Sequence, residues 1–171
     1  MAGYSFDLNW TIAGERQLAR RFTRLAMTLS NYARPLARMA RDVIYPEIRH
    51  QFQAEGDPGW DPLSAAYAAW KARKYPGKPK LQATGALLAS LTNRRAKHAI
   101  YTLTKDELII GTSLRTPDGE WNLGLLHQLG APKAKLPARP MMRLRESAQT
   151  RAVEIFARWL WEEGQHAEVG V

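Results

Sequence analysis

Three runs rich in proline, two of them also in glycine, decide how this chain can be divided. They are Gly56-Asp57-Pro58-Gly59-Trp60-Asp61-Pro62, Tyr75-Pro76-Gly77-Lys78-Pro79, and the segment from Ala131 to Pro140, which holds three prolines. Proline fixes φ at about −65° and has no backbone N–H, so none of these runs can be a helix interior or a central strand. They must be loops. Regular structure is left to an N-terminal stretch, a middle and a C-terminal stretch.

Residues 4–12 alternate apolar and polar side chains (Phe6, Leu8, Trp10, Ile12), the period-two pattern of a half-buried strand. After Gly14, the residues Leu18, Phe22, Leu25 and Leu29 form one helical stripe, with Arg16, Arg20 and Arg24 mostly away from it. Ser30 or Asn31 can cap a second helix carrying Leu36, Met39, Val43, Ile48 and Phe52. Pro35 falls in its first turn, whereas Pro46 is expected to kink or divide it. Ser64 caps a helix through Lys74, and Thr84 starts a third helical stretch to about Leu91. Residues 98–103 and 107–114 read as two strands joined at Thr104-Lys105-Asp106, hence a hairpin, and Pro117-Asp118-Gly119 is a turn. Asn122 to Gln128 reads as a short helix ended by Gly130. The last helix shows a broad apolar face of Leu144, Ala148, Ala152, Ile155, Phe156, Trp159 and Leu160, and residues 164–171 are expected to fray. The pattern predicts one α+β domain over residues 1–171. It is mostly helical, with long N-terminal and C-terminal helices around a small antiparallel sheet.

The absence of cysteine removes disulfide scaffolds, thiolate zinc sites and cysteine nucleophiles, and suits a reducing cytoplasm. The N-terminus does not read as a signal peptide, and no apolar stretch approaches the roughly 18 residues that cross a bilayer, so no membrane is expected as a partner. The net charge of +9 points to nucleic acid, an acidic protein surface or anionic lipid. Eight arginines face two acids between Arg16 and His50. Lys71–Lys80 and Lys133–Arg145 each hold five basic residues and no acid. After Arg145 the sign reverses, with Glu146, Glu154, Glu162, Glu163 and Glu168 outnumbering Arg151 and Arg158.

The local signatures of common enzymes are missing: no phosphate loop, no dinucleotide fingerprint, no nucleophile elbow and no His-Glu-x-x-His. His50, His98, His127 and His166 are scattered and read as surface or hydrogen-bonding residues. Glu55, Asp57 and Asp61 share the first proline–glycine loop and offer oxygen ligands, but that loop reads as turn-building. No catalytic, cofactor or metal site is expected. The arginine-rich helices read first as solvated faces, and beyond that as contacts for an acidic protein or for DNA phosphates. Trp10 and Trp159 fall on apolar stripes and read as core. Trp161 falls off the main stripe, so its exposed edge marks a candidate contact.

One series of residues resembles a known family. It comprises Gly59-Trp60-x-Pro62-Leu63-Ser64, then Tyr67 and Lys71, Leu81-x-x-Thr84-Gly85-x-Leu87-x-x-Ser90-Leu91, Ile110-Gly111-Thr112, His127-Gln128-x-Gly130, and Pro137-Ala138-Arg139-Pro140. In order and spacing it is similar to the phage virion morphogenesis family, over roughly residues 50–145. The segment Arg115 to Trp121 departs from the family pattern, in which a Tyr-Ala pair closely precedes the His-Gln element. The resemblance implies a non-enzymatic structural protein of the head–tail neck or of tail completion. It would be assembled in the host cytoplasm and carried in the virion. The implied partners are the connector or head-completion and tail-terminator proteins, further copies of the chain in a ring, and non-specific contact with packaged DNA. A basic DNA-binding accessory protein is the alternative. Candidate partner contacts are Trp60, Lys71, His127, Gln128, Lys133, Lys135, Arg139 and Trp161. Most motif residues read as holding the fold, with Arg139 and the 131–140 loop chiefly reaching partners. Gly111 reads as a close backbone approach at a strand end.

Overall fold

The computed structural model describes residues 29–169, with side chains to Gln165, and before them Arg20, Thr23, Ala26 and Met27. The expected strand at 4–12 with Trp10, and the stripe residues Leu18, Phe22 and Leu25, lie outside the described residues.

The Ser30 N–H and hydroxyl both reach back, to Ala26 and Met27 carbonyls at 2.7–3.3 Å, so Ser30 closes the turn before it. Asn31 begins the next helix by accepting the Ala33 N–H at 3.1 Å. Helix α1 (Ala33–Met39) passes through a π turn (Ala40–Ile44) into α2 (Tyr45–Gln53). The π turn explains how the chain tolerates Pro46. An α-helical proline clashes with the carbonyl four residues back. Here the register widens just beforehand, with the Tyr45 N–H bonded to Ala40, and Pro46 sits in the first turn of α2. The helical path continues, and Ala40, Val43, Glu47, Ile48, Gln51 and Phe52 form its buried side.

Helix α2 ends at Glu55 (φ 52°) and Gly56 (φ 101°). A Cβ at Gly56 would lie 2.6 Å from Cδ1 of Trp60, so both the torsion and the ring behind it require glycine. Helix α3 (Ala65–Lys74) is capped by Ser64 Oγ, which accepts the Tyr67 N–H at 3.4 Å. Helix α4 (Ala86–Thr92) follows the second proline–glycine loop. Strands β1 (Ala99–Leu103) and β2 (Leu108–Thr112) form the expected antiparallel hairpin, with Ala99 opposite Thr112 and Leu103 opposite Leu108. Asn122 caps α5 (Leu123–Leu129) by accepting the Leu125 N–H at 2.9 Å. A single 3₁₀ turn (Pro132–Ala134) interrupts the third loop, and α6 runs from Glu146 to Val169.

Helix α4 is the centre of the packing, touching α2 on one side and both strands on the other. The core joins Ile48 and Phe52 of α2, Leu87 and Leu91 of α4, Trp60 and Met141. Each such side chain contributes roughly 1.5–3 kcal/mol on burial. A buried bond of 2.8 Å from the Ser90 hydroxyl to that of Thr112 ties α4 to β2. Helix α6 packs on α1 and the π turn, where Trp159 and Phe156 meet the ring of Tyr32. Trp159 is core, as its stripe predicts, whereas Leu160 belongs to the outward side.

Gly111 does not make the close approach expected of it, since a Cβ there would meet Ile100 at an ordinary 3.8 Å. The close approach is at Gly124, where a Cβ would lie 2.5 Å from the Thr112 methyl. The architecture is α+β and mostly helical. Among the described residues, no helix is long and apolar enough to cross a membrane.

Candidate functional site

Irregular loops have no periodic hydrogen bonds, so each buried carbonyl and N–H in them needs its own partner. The three proline-rich loops meet beside α2, and the motif residues supply those partners. Trp60 packs edge-on against Phe52, with ring centroids 5.7 Å apart at 89°, and its indole N–H donates to the Pro140 carbonyl at 3.2 Å. The first loop is thereby fastened to the third. Arg139 returns the tie: its Nε donates to the Asp61 carbonyl at 3.3 Å and its Nη2 to the Pro62 carbonyl at 3.1 Å. The backbone N–H of Arg139 bonds to the His127 carbonyl at 2.6 Å. Gln128 Oε1 accepts the N–H groups of Met141 and Met142 at 3.0 and 3.1 Å.

The second loop is held the same way. Lys71 is buried, and its ammonium donates to the carbonyls of Lys78 and Pro79. Lys80 reaches the Trp60 carbonyl at 3.0 Å and the Glu55 carboxylate at 3.3 Å. Glu55 also accepts the Lys80 N–H at 2.6 Å, which is the main reason its pKa lies below the usual carboxylate value.

Arg139 therefore does not reach outward from the 131–140 loop. It is 2% exposed, because its guanidinium is the donor that two carbonyls of the neighbouring loop require. Trp60 and Lys71 also face inward, and His127 and Gln128 are mostly covered. Of the eight candidate contacts, Lys133, Lys135 and Trp161 are exposed. His127 carries a buried Nδ1 without a hydrogen-bond partner. Burial first, and Arg139 second, lower its pKa to about 4, so the imidazole is neutral at pH 7.

The acidic residues of the first loop are not gathered around a shared point. Glu55 turns to Lys80, while Asp57 faces His50 at 3.4 Å and Arg145 at 3.9 Å. Among the described residues, no three His, Cys, Asp or Glu side chains are placed to hold a metal. The arginines of α1 and the π turn are partly matched by acids of this chain, Arg34 with Glu163 at 3.1 Å and Arg41 with Asp42 at 2.6 Å. They line a cleft of about 320 Å³ between α1 and α6.

Sequence reasoning missed Glu47. Its carboxylate is 1% exposed and accepts both Nε and Nη2 of Arg145 at 2.9 Å and Nη2 of Arg151 at 3.0 Å. The bond from Arg145 is the main cause of its lowered pKa. This fork fixes the start of α6 to the first turn of α2. The signal was present: Glu47 lies between Val43 and Ile48 on the apolar side of the helix.

The surface left to other molecules is different in kind. Trp121 just before α5 and Leu125 and Leu129 on it are exposed, as are Val153, Leu160 and Trp161 on α6. Tyr67, Trp70 and Tyr75 stack along α3 with Lys74 over the rings of Trp70 and Tyr75. A family model described as the phage virion morphogenesis family matches residues 14–161. No curated protein and no solved structure matches the chain.

Proposed function

The chain belongs to the phage virion morphogenesis family, and from that premise we propose that it is a structural protein of the head–tail junction, serving the neck or tail completion without catalysis. The observation that carries this reading is the family match together with the use made of the motif residues. Trp60, Lys71, Gln128 and Arg139 are spent on holding three loops in one shape. Such a block is suited to present a fixed surface to other virion parts, and its exposed apolar ridges are suited to be covered by them.

Heads and tails share an axis, so a component at their junction meets its own copies around it, through heterologous contacts that close into a ring. The connector or head-completion proteins on one side and the tail terminator on the other are the partners this places nearby. The basic surface suits acidic rings of such partners or the DNA passing through them. Deleting the gene in a producing phage should leave DNA-filled heads and unattached or unstable tails, with function restored from a plasmid copy. Normal infectious particles from the deletion would overturn the reading.

A further inference from the structure

The positive charge of this chain is confined to one stretch. From Pro62 to Lys105 there is no Asp or Glu, while nine of the 25 Lys and Arg lie there. The other sixteen equal the 16 Asp and Glu, all of which lie elsewhere, so the whole +9 belongs to this stretch. Part of it is used inside the fold. Lys71 and Lys80 hold loop carbonyls, and Lys74 lies over the rings of Trp70 and Tyr75. Arg94, Arg95 and Lys97 are exposed, and none of them has an acidic partner among the described residues.

The turn that carries these three is held in one shape. Asn93 Oδ1 accepts the Arg95 N–H at 3.0 Å, the Asn93 carbonyl accepts the Ala96 N–H at 2.9 Å, and the Ala99 N–H returns to the Ala96 carbonyl at 3.1 Å. Arg49 joins them from α2. It is exposed too, and its Nη2 donates to the Thr92 carbonyl at 3.2 Å, at the end of α4. Tyr45 lies one turn before Arg49. Burial first, and then Tyr101, raise its pKa, while Arg94 and Arg49 lower it, so the four side chains share one neighbourhood. The Arg94 guanidinium sits over the Tyr101 ring, 5.8 Å from its centroid.

A polyanion is what such a surface fits. From Asn93 to Ala99 there is no large apolar side chain, whereas the centre of a protein interface is apolar and poor in charge. Arg94 covers the Tyr101 ring, which is therefore not open to stack on a base. The donors that remain are guanidinium and ammonium groups, which meet phosphate oxygens whatever the base sequence. Deepening the assembly role above, we propose that Arg94, Arg95 and Lys97, flanked by Arg49, grip the phosphate backbone of duplex DNA.

Fluorescence anisotropy of the full chain with a labelled random-sequence duplex, titrated at salt from about 50 to 200 mM, tests this. Each phosphate neutralised adds about 0.9 to the slope of log affinity against log salt. Arg94→Gln/Arg95→Gln/Lys97→Gln should therefore flatten the slope by about 2.7 and weaken binding by about 10²–10³-fold at 0.1 M salt. Arg95→Gln/Lys97→Gln, which leaves Arg94 on its ring, should flatten it by about 1.8 should the triple variant fail to fold. Lys133→Gln/Lys135→Gln/Arg143→Gln removes the same charge from other exposed positions and should change the slope by less than about 1. Equal flattening by the two triple variants, or no salt-dependent binding by the unaltered protein, overturns the contact. Displacement of the duplex by poly-glutamate as readily as by unlabelled duplex overturns it in favour of an acidic protein. None of these results alters the virion role, which stands or falls with the gene deletion.

Discussion

Replacing Arg139 by methionine separates a residue that holds the fold from one that touches a partner. The side chain is 2% exposed and donates to the carbonyls of Asp61 and Pro62. Hydrogen bonds from a charged donor contribute about 1.5–3 kcal/mol each, and Arg139→Met loses two of them. It also leaves two loop carbonyls without that donor. Against this, methionine removes the cost of burying a cation that has no carboxylate beside it. The balance is a loss of about 2–4 kcal/mol, or roughly 5–15 °C in Tm for a domain of this size. Thermal unfolding followed by near-ultraviolet circular dichroism suits the test, because Trp60 bonds to the carbonyl adjoining Arg139 and reports on the same junction. A variant that unfolds within about 2 °C of the unaltered protein refutes the reasoning. Loss of virion incorporation at unchanged Tm would move Arg139 to the partner surface.

Two further predictions concern the same frame. His127 is held at a pKa of about 4 in the fold against 6.5 in the unfolded chain. Between those values the unfolded chain takes up a proton that the folded one refuses, so this stabilisation is complete above about pH 6.5, falls with pH, and levels off below about pH 4. The loss is at most about 3 kcal/mol. Urea unfolding across this range should show a flatter pH dependence in His127→Asn than in the unaltered protein, and equal slopes would count against it. Gly124→Ala should destabilise by about 1–2 kcal/mol, since its Cβ would meet the Thr112 methyl at 2.5 Å and that side chain is locked by Ser90 and the Leu114 N–H. In a Thr112→Ser background, which keeps the hydroxyl and removes the methyl, the same change should become neutral or stabilising because alanine is the better helix former. A penalty that persists there would show that the clash is not its cause.

The parts of the fold that were legible in the sequence are those settled within a few residues. Ser64 caps its helix because its side chain reaches an N–H three positions on. The hairpin at Thr104-Lys105-Asp106 follows from strand patterns on either side. Pro46 was legible as an interruption, but its accommodation by a π turn depends on keeping Val43, Glu47, Ile48 and Phe52 on one buried side. Arg139 shows where local reasoning stops. Flanking prolines foretell an extended backbone and not the direction of the side chain, which is decided by carbonyls 77 and 78 residues away. Leu160 shows the converse: its spacing fits the inner stripe, yet the neighbouring Trp159 fills the space beside Tyr32 and Leu160 is left outside.

That division bears on where contact residues should be sought. A loop carbonyl accepts only a donor of the right reach and angle, so positions such as Lys71, Lys80, Gln128 and Arg139 admit few side chains. A docking ridge needs only apolar bulk that fits its neighbour, and many residues satisfy it. The recognisable motif therefore marks the frame. Trp60 and Arg139 are buried, so the motif itself is not the surface open to partners. Loss of Arg139 should accordingly lower Tm whether or not copies associate.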